Sequence, residues 1–135
     1  PLGEDYSLMG TSMMPTVLQS ITTNYNKKNK NVALFEIGKT YIDEAGNIEK
    51  GEVAEENNKI AFAVYGENAD FYIVKGIIEN ILEIANISRY QLERANEAGL
   101  HPGRSAEIFI GKDNIATFGE VHPQVIENYG INEKF

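Results

Sequence analysis

Two histidines, a few strand-borne carboxylates and two sets of cations are the residues of this chain with chemistry to offer. His101 and His122 each precede a proline and do not stand at i, i+4 on one helix, so a zinc site would need ligands the sequence does not identify. General-base work by His101 would also need an orienting partner. A structural or interface role is its simpler reading, and His122 reads as a turn residue at a helix start. Glu36 and Glu107 fall within strand-like runs and could do acid–base work if they faced each other. Solvated or salt-bridged strand acids are commoner. Arg104 follows the flexible Gly103 and could present its bidentate fork to a phosphate or a partner's carboxylate, or spend it on a local ion pair. Lys27, Lys28 and Lys30 are the one concentrated positive patch, suited to RNA phosphates or to solvating a helix end.

The elements that would position these groups are legible from periodicity. Thr11 and Ser12 precede Met14, Val17, Leu18, Ile21 and Tyr25 at helical spacing, which predicts a helix over about 13–26 with Pro15 tolerated in its first turn. Val32–Ile42 is β-branched and aromatic and predicts a strand; an acid-rich loop with the single Lys50 follows, then a strand from Ile60 to Gly66. Asp70 is placed to cap an amphipathic helix running to about Ala85 through Val74, Ile77, Ile78, Ile81 and Leu82. A short segment around Tyr90 and Leu92 reads as a strand and AGLHPG as a loop. Ala106–Ile110 and Ile115–Phe118 flank the turn GKDN as a hairpin, and Pro123 to Tyr129 reads as a short helix ended by Gly130. Together these predict an α+β fold in which one mostly antiparallel sheet, made from the four longer strands, is flanked by helices.

Composition narrows the function. A chain of 135 residues suits one domain, and the net charge of −8 opposes autonomous binding to DNA or an anionic membrane. Without cysteine there is no disulfide, thiolate zinc site or cysteine nucleophile. No apolar run reaches membrane-spanning length, so a soluble, intracellular setting is expected. The first residue is proline rather than methionine, which points to a piece of a longer chain. The phosphate-cradling and nucleophile-elbow motifs GxGxxG, GxxxxGK[ST] and GxSxG are all missing.

Three stretches, PLGEDYSLMGTSMMPTVLQSITTNYNKKNKNVALFEIGKTY, DFYIVKGIIENIL and LHPGRSAEIFIGKDNIATFGEVHPQV, carry a resemblance. In this order they resemble the β subunit of bacterial phenylalanyl-tRNA synthetase, in its catalytic-like module folded like a class II synthetase core. Gly10 departs from the arginine expected before the TS pair. The resemblance implies that residues 1–135 are a single catalytic-like domain, a fragment of a longer β chain. In active class II synthetases the FEIG strand continues to an arginine that grips the α-phosphate of ATP; in FEIGKTYIDE, Ile42 stands at that position, followed by Asp43 and Glu44. The glycine-rich, arginine-ending motif of the class is not visible before Phe135.

The resemblance therefore implies a non-catalytic module with no cofactor of its own, ATP and Mg²⁺ being used by the parent complex. It implies packing against the catalytic α subunit in a cytoplasmic tetramer of two α and two β chains that aminoacylates tRNA(Phe) for protein synthesis. Met13, Met14, Pro15 and Leu18, on the first helix, are the candidate partner interface and should be partly exposed. His101, Arg104, Lys27, Lys28 and Lys30 are candidate partner or RNA contacts. The alternatives are an enzyme acting alone, which Ile42 opposes, and a free-standing α+β ligand-binding or interaction domain.

Overall fold

A computed structural model describes residues 12–42 and 55–132. The elements are α1 (Met14–Asn26), β1 (Val32–Ile42), β2 (Glu55–Tyr65), α2 (Phe71–Ile84), β3 (Gln91–Arg94), β4 (Leu100–Ile110), β5 (Asp113–Val121) and α3 (Pro123–Asn128). The fold is α+β with every strand pair antiparallel. The readings of Gly10, Thr11, Asp43, Glu44 and most of the acid-rich connector lie outside the described residues.

The helices follow their sequence signals. Pro15 sits in the first turn of α1, where its missing N–H costs nothing, and the Ser12 hydroxyl accepts the Met14 N–H at 3.2 Å. Asp70 caps α2 by accepting the Ile73 N–H at 2.8 Å. The ring of His122 caps α3 in the same way, Nδ1 accepting the Gln124 N–H at 3.1 Å.

The strands depart from expectation in four places, one of them β5, which was expected over Ile115–Phe118 and runs from Asp113 to Val121 because its ends pair with Ile110 and Leu100 of β4. They form two sheets, β1–β2 and β3–β4–β5, rather than one. β2 begins at Glu55 instead of Ile60, because Glu55–Lys59 continue the ladder opposite Gly38–Ile42, and partner pairing carries polar residues that propensity alone would leave in a loop. The segment expected as the loop AGLHPG instead starts β4: Leu100 is buried and pairs with Val121, and an irregularity between Leu100 and Ser105 accommodates Pro102 and Gly103.

Two apolar clusters hold these layers together. In one, Leu18 and Ile21 of α1 meet Tyr65 of β2, Val121 of β5, and Ile126 and Ile131 at α3. In the other, Ile78 and Leu82 of α2 cover Ala106, Ile108 and Phe118, with Phe71 stacked on Phe118 at 5.4 Å. Ile21 and Ile108 are essentially sealed from water, and full burial of such side chains stabilises by roughly 1.5–3 kcal/mol each. Tyr65 adds a polar tie, its hydroxyl donating to the Asn29 carbonyl beyond the end of α1.

Candidate functional site

The residues with catalytic potential are dispersed. Glu36 lies on β1 opposite Ala61, whereas Glu107 lies on β4 in the other sheet, opposite Thr117 on one side and Glu93 on the other. The carboxylate that faces Glu107 in register is therefore Glu93 of β3, not Glu36. His101 is half-buried and its Nδ1 accepts the Gly103 N–H at 3.0 Å, a local turn contact like that of His122. Among the described residues, no group of three or more His, Cys, Asp or Glu side chains is arranged to hold a metal.

The cations divide by occupation. Arg104 makes the local ion pair: Nε donates to Glu120 Oε2 at 2.5 Å and a terminal nitrogen to Oε1 at 2.9 Å. That hydrogen bond, with a smaller gain from charge attraction and against a small loss of hydration, raises the guanidinium pKa further. Lys39 of β1 pairs with Glu56 of β2 at 2.7 Å, and its pKa is raised by the hydrogen bond first and the carboxylate charge second. Lys27, Lys28 and Lys30 stand exposed just after α1, with Lys28 in the left-handed region at φ 64°.

The four residues expected at a partner surface split. Met14 and Pro15 are exposed, but Met13 and Leu18 are only 8% and 5% exposed, so the expected exposure fails for those two. The physical reason is the approach of α1 to β1: the Met13 methyl lies 3.1 Å from where a β-carbon on Gly38 would sit, so that glycine makes room for the methionine. Leu18 joins the core between α1 and the sheet.

The apolar surface left open lies on the other face of the same ribbon. In register, Ala33, Phe35 and Ile37 of β1 oppose Val64, Phe62 and Ile60 of β2, and directly opposed residues share a face. Phe35, Ile37 and Ile60 are 72%, 69% and 59% exposed, while α1 covers the opposite face through Leu34 and Ala63. α2 leaves a second strip open, with Tyr72, Ile73, Ile81 and Ile84 exposed. The sequence did carry a signal for the ribbon: VALFEIG and IAFAVY are apolar at both parities, the mark of a strand covered on both faces. α1 covers one of those faces; on the other, Phe62 packs against the cluster of α2, β4 and β5 while Phe35, Ile37 and Ile60 stay open. A groove of about 800 Å³, bordered by β2 and β5 and reached by Met13, Ile42 and Tyr129, adjoins that face and shares Ile60, Phe62 and Val64 with it.

The profile of the family described as the phenylalanyl tRNA synthetase beta chain CLM domain matches residues 1–135. The chain belongs to this family. It is similar to proteins named phenylalanine–tRNA ligase beta subunit from Clostridium tetani, at 38% identity over 135 residues, and from Clostridium acetobutylicum, at 40% over 135 residues. A protein of the same name from Fusobacterium nucleatum is 34% identical over 145 residues. Each match covers 99% of this chain but 17%, 16% and 18% of the respective relative. The chain thus spans about a sixth of the length of these relatives.

Ile42, which the class II resemblance puts in place of a phosphate-gripping arginine, has its surroundings in the structure. It ends β1, half-buried, with the acidic Glu55 as its cross-strand neighbour, and lines the groove alongside Met13 and Met14. An aliphatic side chain has no donor for a phosphate, and an adjacent carboxylate repels one. Ile42 and Glu55 themselves therefore offer a triphosphate nothing to bind. No helix of the described residues is long and apolar enough to cross a membrane.

Proposed function

We propose that this CLM domain is a non-catalytic packing module of a phenylalanine–tRNA ligase β subunit, with a class II synthetase-like core, that docks on the catalytic α subunit. In this reading residues 1–135 form one domain of a longer cytoplasmic β chain. The parent complex uses ATP and Mg²⁺ to aminoacylate tRNA(Phe), and this module contributes assembly rather than chemistry. The observation that carries it is the exposed apolar part of one face of β1–β2, where Phe35, Ile37 and Ile60 stand open beside Phe62, which packs on the α2–β4–β5 cluster. A β-ribbon with one face on its own core and an apolar outer face is suited to bury that face against another subunit. Met14 and Pro15, exposed at the start of α1, extend the candidate contact. Lys27, Lys28 and Lys30 remain candidate RNA contacts, since their ammonium groups are open to solvent. Arg104 and His101 are weaker candidates, each already engaged locally.

Sedimentation of the chain with and without the α subunit of a clostridial phenylalanine–tRNA ligase tests the docking. Co-sedimentation that Ile37→Asp weakens about tenfold or more, while the variant stays folded, is the expected result. No association would favour a free-standing α+β interaction domain. Calorimetry with Mg-ATP, and pyrophosphate exchange with phenylalanine, should show neither binding nor turnover by the chain alone; saturable micromolar binding would overturn the non-catalytic reading.

A further inference from the structure

A cavity of about 410 Å³, lined by Ser88, Arg89, Tyr90, Gln91, Phe109 and Gly111, opens where the connector from α2 to β3 meets the start of the β4–β5 turn. α2 covers one face of this three-stranded sheet through Ala106, Ile108 and Phe118. Phe109 follows Ile108 along β4 and so belongs to the other face. Its cross-strand partners are Gln91 of β3 and Asn114 of β5, and opposed residues share a face. Asn114 is held on that side by donating to Thr117 Oγ1 at 3.2 Å, because Thr117 pairs with Glu107, two residues from Phe109. One half-buried ring thus lies between two exposed carboxamides in a single row across three strands.

We propose that this row and Arg89 form a binding site for one nucleotide of single-stranded RNA: the base stacks on Phe109, its edge meets the amides of Gln91 and Asn114, and its phosphate meets Arg89. Three observations favour that ligand. A ring flanked by groups that both donate and accept suits an unpaired base, since every base has a face to stack and an edge that an amide can bond. Arg89 is exposed and in none of the ion pairs of the described residues, which engage Lys39, Lys75 and Arg104. No carboxylate lines the cavity, so a chain of net charge −8 keeps here an acid-free hollow with a free guanidinium, complementary to a phosphate. The charges also give a direction. Arg89 stands two residues before Gln91, whereas Glu93 stands two residues after it and faces Glu107, so a phosphate is drawn to one end of the row and repelled from the other. A phosphopeptide would use the guanidinium but leave the ring and both amides without a role.

Fluorescence anisotropy of a labelled single-stranded RNA hexamer of mixed sequence, titrated at low salt with this chain and without α, tests the site. Saturable binding is expected. Phe109→Ala should weaken it about tenfold or more through lost stacking, and Phe109→Tyr should retain it. Arg89→Gln should weaken it and also lower the slope of log affinity against log salt by about 0.7, one phosphate contact on a single strand, whereas Phe109→Ala should leave that slope unchanged. Arg89 and Gln91 are exposed, so Arg89→Gln and Gln91→Ala probe the site without disturbing the core. No binding by the wild-type chain would overturn the proposal, as would binding that the Arg89 and Gln91 variants leave intact. So would binding lost only when Lys27, Lys28 and Lys30 are changed together to Gln, or a phosphopeptide of the same charge binding as tightly as the RNA. Phe109 lies in the other sheet from Phe35, Ile37 and Ile60, and α is omitted, so failure here is read separately from failure of subunit docking.

Discussion

Gly119 and Ser105 face each other across the β4–β5 ladder so closely that a β-carbon on Gly119 would lie 2.6 Å from the Ser105 Cα and Cβ and from the Arg104 carbonyl oxygen. Both residues belong to the stretch HPGRSAEI…GEVHP, and Arg104 beside them is tied to Glu120 on β5. This part of the stretch that carries the family resemblance therefore forms a close strand contact with an ion pair across it. Gly119→Ala must push backbone against backbone and should cost about 1–3 kcal/mol, seen as a lower urea midpoint with unchanged slope. Gly99→Ala, with nothing within 4 Å of its added carbon, is the matched control.

Gly76 gives the opposite expectation. It lies inside α2, and a β-carbon there would meet nothing within 4 Å. Glycine in a helix interior forfeits backbone entropy on folding, so Gly76→Ala should stabilise by about 0.5–1 kcal/mol. A raised thermal midpoint checks it.

Glu93 and Glu107 stand opposite each other on β3 and β4. Like charges in register are unfavourable, and Glu93→Gln should stabilise by about 0.2–1 kcal/mol. The gain should shrink as salt is added, because Glu93 is solvent-exposed. A gain that salt does not touch would point to packing instead of charge.

Lys39 and Glu56 set an alkaline expectation. Glu56 raises the Lys39 pKa above its ordinary 10.5, so folding favours the protonated amine. The pair's contribution is fully present below 10.5 and is lost as pH rises through the higher folded value. Stability of the wild type and of Glu56→Gln, followed by denaturant melts from neutral to strongly alkaline pH, should converge at the alkaline end. The gap at neutral pH should be small, because both groups are solvent-exposed.

The helices were readable because their signals are local. Asp70 three residues before Ile73, and Pro15 in the first turn of α1, act through neighbours in sequence, and α1 and α2 fall within a residue of where periodicity places them. The strands were readable in their apolar parts only. Glu55–Lys59 join β2 because β1 lies beside them, and His101–Arg104 enter β4 because Leu100 finds Val121. In both cases a distant partner overrides local propensity.

The sequence by itself determined the α+β class, the helices and the family. These are matters of residue type and of spacing within a few turns. Tertiary structure alone decided that Met13 and Leu18 face inward while Phe35, Ile37 and Ile60 face out, that Arg104 belongs to Glu120, and that the strands part into two sheets around a groove. Periodicity shows which residues share a face of an element. It cannot say which of two apolar faces the rest of the chain will cover, because that choice is made by contacts between elements far apart in sequence.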